Sequence, residues 1–203
     1  MQKQQSAGTP RDRLLAAAVA CLQDKGYAHT SARDLATASG THLASIGYHF
    51  GGKEALLNAA LAECFRAWSE RVEQAVSAAP GADPREQLKL ALAAMIDAFD
   101  EMRPAIVGCI EAFPPALRSA ELRTQLTVHL AETRKTGAAL ISWCCAEAGV
   151  DLSVPAEIMA SVLIALTEGL MLQWLLDPAA TPSADQVLQA LGALASFIAP
   201  HPQ

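Results

Sequence analysis

Apolar side chains recur along this chain at every third or fourth position and hardly anywhere at every second, the period of helices rather than strands. The first such face is Leu14, Leu15, Ala18, Val19 and Leu22. Thr9 can cap that helix, Pro10 suits its first position, and Asp12 favours the first turn. Gly26 is expected to close it with a left-handed residue. Ahead of it, residues 1–8 are polar and aperiodic, an arm expected to be disordered.

Two short helices follow. Ser31 and Asp34 have the spacing of a hydroxyl–carboxylate cap, and Leu35 and Ala36 give the first helix its apolar side. Residues 38–41 read as a compact turn in which Gly40 can take positive φ without a Cβ clash. A second short helix over about 41–49 turns Ile46 and Phe50 inward, and Gly51 and Gly52 stop it. Two short helices joined through a glycine turn form a helix-turn-helix.

The rest of the chain is longer helices. Leu57, Leu61, Cys64, Phe65, Trp68, Val72 and Val76 keep the helical period over 53–78, and SAAPGADP (77–84) interrupts it. Asp83 and Pro84 open a helix lined by Leu88, Leu92, Met95, Ile96 and Phe99, which Arg103 and Pro104 are expected to break. A short helix over 104–112 should then stop at Phe113, Pro114 and Pro115. One long stretch covers 117–148 and ends at Gly149. Residues 155–176 are apolar nearly all round, which predicts a central helix. A loop over 177–182 precedes a last helix with Val187, Leu191, Leu194 and Ile198 on one face. The pattern predicts an all-α chain of about nine helices and no strand.

A major groove admits one α-helix, whose first residues reach the base edges. His42, Leu43, Ser45 and Gly47 fall on or near the exposed face of the second short helix. Tyr48 can offer its hydroxyl to a phosphate. Lys53 opens the long helix, where free N–H groups and an ammonium can hold a phosphate together. His49 serves equally as a phosphate contact or as an internal hydrogen bonder.

The ordered set Thr30, Arg33, Leu35-Ala36, Gly40, Ser45-Ile46, Tyr48-His49-Phe50 and Lys53-Glu54-Ala55-Leu56 resembles the tetracycline-repressor-type (TetR) family of transcription regulators. Family members usually place two aromatics before the His-Phe pair; here Gly47 holds the first of those places and Tyr48 the second. The resemblance implies a three-helix DNA-binding head over 9–57 and a helical-bundle body for ligand binding and dimerisation over 58–203. It implies that Arg33 contacts a guanine or a neighbouring phosphate. It also implies a homodimer paired through its last two helices on palindromic double-stranded operator DNA, a repressor released by a small molecule. The other reading of the same residues is a helical ligand-binding or scaffold protein whose head has lost specific DNA binding.

Charge changes the picture by its distribution. The net charge is −6, but residues 1–60 carry six basic and four acidic side chains, whereas the remainder carries nine and seventeen. A slightly basic head on an acidic body suits specific over indiscriminate phosphate binding. The five cysteines are odd in number and form no CxxC, and no signal peptide precedes them, which implies a cytoplasmic setting. The apolar run at 158–176 is interrupted by Thr167, Glu168 and Gln173 and lacks basic flanks, so no membrane span is expected.

No phosphate loop, HExxH, carboxylate-histidine di-metal pair or GxSxG elbow occurs, so no enzyme, cofactor or metal is expected. An apolar, methionine- and aromatic-rich set could line an effector cavity: Met95, Phe99, Met102, Cys109, Phe113, Trp143, Met171 and Trp174. Its polar anchor is sought among Glu111, His129 and Glu168, polar groups in apolar stretches. The same side chains serve equally as ordinary core.

Overall fold

The computed structural model describes residues 8–198, with the side chain of Ile198 excluded. Nine α-helices fill this range, with no strand among the described residues. In order they are α1 (Pro10–Lys25), α2 (Ala32–Ser39), α3 (Ala44–Phe50), α4 (Lys53–Ser77), α5 (Pro84–Asp97), α6 (Phe99–Arg118), α7 (Ala120–Glu147), α8 (Ala156–Leu176) and α9 (Ala184–Ile198). A 3-10 turn at Pro178–Ala180 sits between the last two. The arm over 1–8 lies outside the described residues except for Gly8.

The caps of α1 and α2 form as their spacing requires. Thr9 and Asp12 make a reciprocal box, and Ser31 and Asp34 make a second. Asp83 accepts from the Glu86 N–H at the start of α5. Four expectations fail. Gly26 closes α1 at φ 80° and ψ 170°, positive in φ but extended rather than left-handed helical. α3 begins at Ala44 rather than 41, because Leu43 supplies no side-chain cap and the chain enters through 3-10-type bonds onto His42 and Leu43. α5 ends at Asp97, and α6 runs straight through Pro104, Pro114 and Pro115. The carbonyls freed by Pro104 and Pro114 belong to Asp100 and Ile110, both exposed, where water can take them. Lastly, α8 is not enclosed: Ile158, Val162, Leu172 and Leu176 are all exposed.

The chain divides into two compact units, and α4, α6 and α7 contribute to both. Unit 1 holds the residues through Ala67 together with Glu101–Glu132. Leu14, Ala18 and Leu22 of α1, Leu35 of α2, Ile46 of α3, Leu56, Leu57 and Ala60 of α4, and Ile106 of α6 are buried in it. α6 approaches so closely at Gly108 that a Cβ there would lie 3.0 Å from both Leu22 Cδ1 and Leu61 Cδ2. Alongside runs a buried polar chain: the Tyr27 hydroxyl donates to Asn58 Oδ1 at 3.0 Å, and Asn58 Nδ2 to Gln125 Oε1 at 3.5 Å.

Tyr27→Phe should therefore cost about 1–3 kcal/mol, because it strands the Asn58 oxygen in the core. The urea midpoint should fall with an unchanged slope. Burial, then the charges of Glu54 and Glu111, push the Tyr27 phenol up to about 12. A raised phenol stabilises the fold fully below the ordinary phenol range, and that part is lost as pH rises through about 12. The variant should lack this alkaline loss; an unchanged alkaline profile would remove Tyr27 as its source.

Unit 2 holds Trp68–Asp100 and the residues after Glu132. Phe99 stands between Trp68 and Trp174, with ring centroids 6.1 and 5.6 Å away. Ala138, Ala156 and Ala160 pack α7 on α8 with Ile141 beside them, and a Cβ on Gly137 would meet that of Ala160 at 3.4 Å. α9 packs on α5, burying Val187 and Leu188, and Lys89 meets Asp185 at 2.9 Å.

Candidate nucleic-acid interface

The helix-turn-helix is held from beneath and left open above. Leu35 and Ile46 are buried, fixing α2 and α3 on the α1 side. Ser39 donates to the Leu35 carbonyl at 2.7 Å and shares a 2.8 Å bond with the Thr41 hydroxyl. Gly40 takes the left-handed conformation at φ 62°, ψ 32° that the turn between the helices requires. Gly51 does the same after α3, at φ 86°.

Two further ties orient α2. Thr30 donates its hydroxyl to the Gly26 carbonyl at 2.7 Å. Asp34 receives Lys25, Ser31 Oγ and the Ser31 N–H, and the Lys25 ammonium and these bonds hold its carboxyl well below the usual carboxylate range. The Arg11 guanidinium lies 5.1 Å over the Phe50 ring, closing the far end of α3 onto α1.

The outer face carries the side chains expected there. Arg33, His42, Leu43, Gly47 and Tyr48 are exposed, with Leu43 at 52 % and Tyr48 at 86 %. Ser45 and His49 are half-buried, and the His49 ring meets Tyr48 edge-on at 4.9 Å. Lys53 is more committed than its position suggested. Its ammonium donates to the Thr30 carbonyl at 3.2 Å and lies 3.6 Å from the Glu54 carboxylate. It therefore ties the start of α4 to the loop before α2.

Residues 14–60 match the family profile described as bacterial regulatory proteins, tetR family, and residues 80–199 match that of the BetI-type transcriptional repressor, C-terminal. This chain belongs to the TetR family. A curated relative, Probable HTH-type transcriptional regulator YttP of Bacillus subtilis (strain 168), is 31% identical over 78 residues, which is 38% of each chain. The match thus spans well under half of that relative. Among solved structures, a chain from Rhodococcus sp. RHA1 described as a transcriptional regulator superposes with a TM-score of 0.73 at 18% identity, over 91% of this chain and 94% of its own. Another, from Saccharomonospora viridis in complex with choline, gives 0.63 at 24% identity, over 92% and 95%.

In this TetR-family chain the proposed cavity residues divide between the units. Met95, Phe99, Trp143, Glu168, Met171 and Trp174 belong to unit 2, and Met102, Cys109, Glu111, Phe113 and His129 to unit 1. Phe99, Met102, Met171 and Trp174 are buried, whereas Phe113 and Trp143 are exposed. Two of the three polar anchors have work elsewhere. The Glu111 carboxylate accepts the Ala28 N–H at 2.9 Å, and His129 Nδ1 lies 3.6 Å from Glu132. Glu168 has no such tie among the described residues, and desolvation raises its carboxyl. Thr167 donates to the Leu163 carbonyl at 2.9 Å with Met95 Sδ 3.9 Å away.

On α9, Val187 is buried within its own chain, which leaves half-buried Leu191 and exposed Leu194 and Phe197. Phe197 escaped the sequence reading although it sits three residues after Leu194. Ile198 keeps its helix but has no described side chain. The exposed residues Ile158, Val162, Ala165, Leu172 and Leu176 of α8, with half-buried Gly169, share one face at alternating spacings of four and three. Among the described residues no three His, Cys, Asp or Glu side chains gather as a metal site.

Proposed function

We propose that this protein is a homodimeric transcriptional regulator that grips a palindromic operator with α3 and surrenders it when a small molecule enters its body. The observation that carries the DNA reading is α3 itself. Its inner side is buried through Ile46 while Leu43, Gly47 and Tyr48 stand free in series on the outer side. A scaffold that had lost DNA binding would have no use for such a face.

The body's role draws on the choline complex of a fold relative and on the Trp68–Phe99–Trp174 cluster. The dimer draws on the α8 face and on Leu191, Leu194 and Phe197 of α9. α8 is also long and apolar enough to cross a membrane, with 28% of its most apolar window buried. Its exposed apolar residues form one stripe flanked by Ser161, Glu168 and Gln173, the pattern of a subunit interface with a polar rim. On this reading the protein works in the cytoplasm, beside its DNA target.

Selection of bound DNA from a random pool tests the whole reading: an enriched inverted repeat is expected, and no enrichment overturns it. With that operator, Lys53→Ala should weaken binding alike on all sequences and lower the salt slope by about one unit. An unchanged slope with a lower melting temperature would assign Lys53 to the Thr30 carbonyl alone. Arg33→Ala should instead relax preference at one operator position, by about 1–3 kcal/mol if the side chain reads a base.

A further inference from the structure

Gln87 is 2 % exposed, and neither its amide oxygen nor its amide nitrogen has a hydrogen-bond partner among the described residues. Leaving such a group unpaired is among the costlier things a fold can do. Its position on α5 defines what it faces. At about 100° per residue, Ala91, Ala94 and Ala98 lie within about 40° of it, so the strip ahead of the amide bears only methyl groups. Arg85 and Lys89 lie about 160° away and Glu86 about 100° away. Lys89 is held by Asp185 of α9 at 2.9 Å. Beyond Ala98 comes Phe99, with the rings of Trp68 and Trp174 beside it. From Gln87 to Ala98 is roughly 16 Å of helical rise.

We propose that this strip of α5 is the floor of the effector site. The Gln87 amide takes a neutral end group that both donates and accepts a hydrogen bond, such as an alcohol or an amide. An unbranched apolar tail lies over Ala91, Ala94 and Ala98 toward Phe99. A carboxylate end group finds no countercharge on this face of α5; the one carboxylate there, Asp83 about 40° from Gln87, is exposed and already accepts the Glu86 N–H at 2.9 Å, so an ammonium is no better served. The assignment rests on the reading that the body holds an effector, and it moves the polar anchor away from Glu111, His129 and Glu168.

The test titrates the full chain with n-decanol, decanoate and decyltrimethylammonium, followed by tryptophan fluorescence, and repeats the titrations on operator-bound protein by anisotropy. n-Decanol should bind at least about tenfold more tightly than either charged probe. Gln87→Met should lose at least about tenfold in n-decanol affinity, yet raise the melting temperature of the ligand-free protein by about 2–4 °C, because it removes an unpaired amide. Gln87→Leu should do the same. Unchanged n-decanol affinity in both variants overturns the proposal. A lowered melting temperature in both also overturns it, since the amide would then be satisfied without a ligand. Preference for a charged probe, or no binding of any of the three, overturns it too. n-Decanol binding that depends on Gln87 but leaves operator affinity unchanged keeps the site and removes effector control. Operator release by other compounds, with n-decanol inert, removes the site and keeps effector control.

Discussion

Val162→Glu should turn the dimer into folded monomers that hold operator DNA at least about a hundredfold more weakly. Val162 is 61 % exposed and lies on the same face of α8 as Ile158, Ala165, Gly169, Leu172 and Leu176. Ala165 and Gly169 in the middle of that face would let a partner helix come close, and a Cβ added at Gly169 would meet nothing within 4 Å in its own chain. A stable dimer needs at least about 1,000 Å² of buried surface, and the α8 face with Leu191, Leu194 and Phe197 is the apolar surface proposed to provide it. A two-fold interface contains every residue twice, so one substitution buries two carboxylates without partners. Each costs several kcal/mol, more than most dimers can spare. The fold itself should survive, because Val162 is on the surface of its own chain and surface changes usually cost under about 0.5 kcal/mol. The loss on DNA follows from avidity, since a second half-site adds about 10²–10⁴ to affinity only when the two heads are joined. Sedimentation equilibrium and an operator titration check both halves. A wild-type monomer at micromolar concentration, or a Val162→Glu dimer, would defeat the interface.

The second large effect is expected at Gly108→Val, at about 3 kcal/mol or more. Its Cβ would stand 3.0 Å from Leu22 Cδ1 and Leu61 Cδ2 and 3.4 Å from Tyr27 Cβ. Leu22 and Leu61 are themselves buried, so their methyls cannot simply swing aside. The two further methyl groups of valine must then displace α6 from α1 and α4, and overpacking of this kind costs about 1–3 kcal/mol or more. Gly108→Ala provides the internal scale. It meets the same first contacts but gains about 1 kcal/mol in helix propensity, so it should be nearly neutral. Urea denaturation should rank wild type and the alanine variant together and valine far below. Operator affinity should fall with valine, since Leu22 near the end of α1 and Tyr27 in the loop after it lie on the way into α2. A valine variant as stable as wild type would mean that α6 is loosely seated.

The head was legible in the sequence because its constraints are local. Ser31 with Asp34, Gly40, and Gly51 each require one particular residue at one position, and the structure uses all of them. The prolines misled for the opposite reason. Pro104, Pro114 and Pro115 carry a local veto on helix that α6 overrides, with buried Met102, Ala105, Ile106, Ala112 and Ala116 holding it in place. Glu111 read as a ligand anchor because nothing nearby in sequence shows its partner, the Ala28 N–H, 83 positions away. Gln87 was passed over, since a glutamine among leucines and alanines looks like a surface residue until burial is known. Composition marked α8 as apolar but could not tell an enclosed core helix from one with an exposed apolar side.

Unit 1 is discontinuous along the chain: α6 and the first part of α7 complete the packing that α1 to α4 begin. Translation runs in one direction, so the DNA-reading segment leaves the ribosome with one wall missing. Leu22, Tyr27 and Leu61 have no Gly108 to cover them, and Asn58 no Gln125, until α6 and the start of α7 have been made. A nascent chain stalled within α5 would expose an unfinished hydrophobic seam to chaperones and proteases. A gene fusion that grafts residues 9–57 onto a foreign body would carry the same defect permanently. The reading head is in this sense made by the whole first two-thirds of the message, and it matures only after the start of the body has been synthesised.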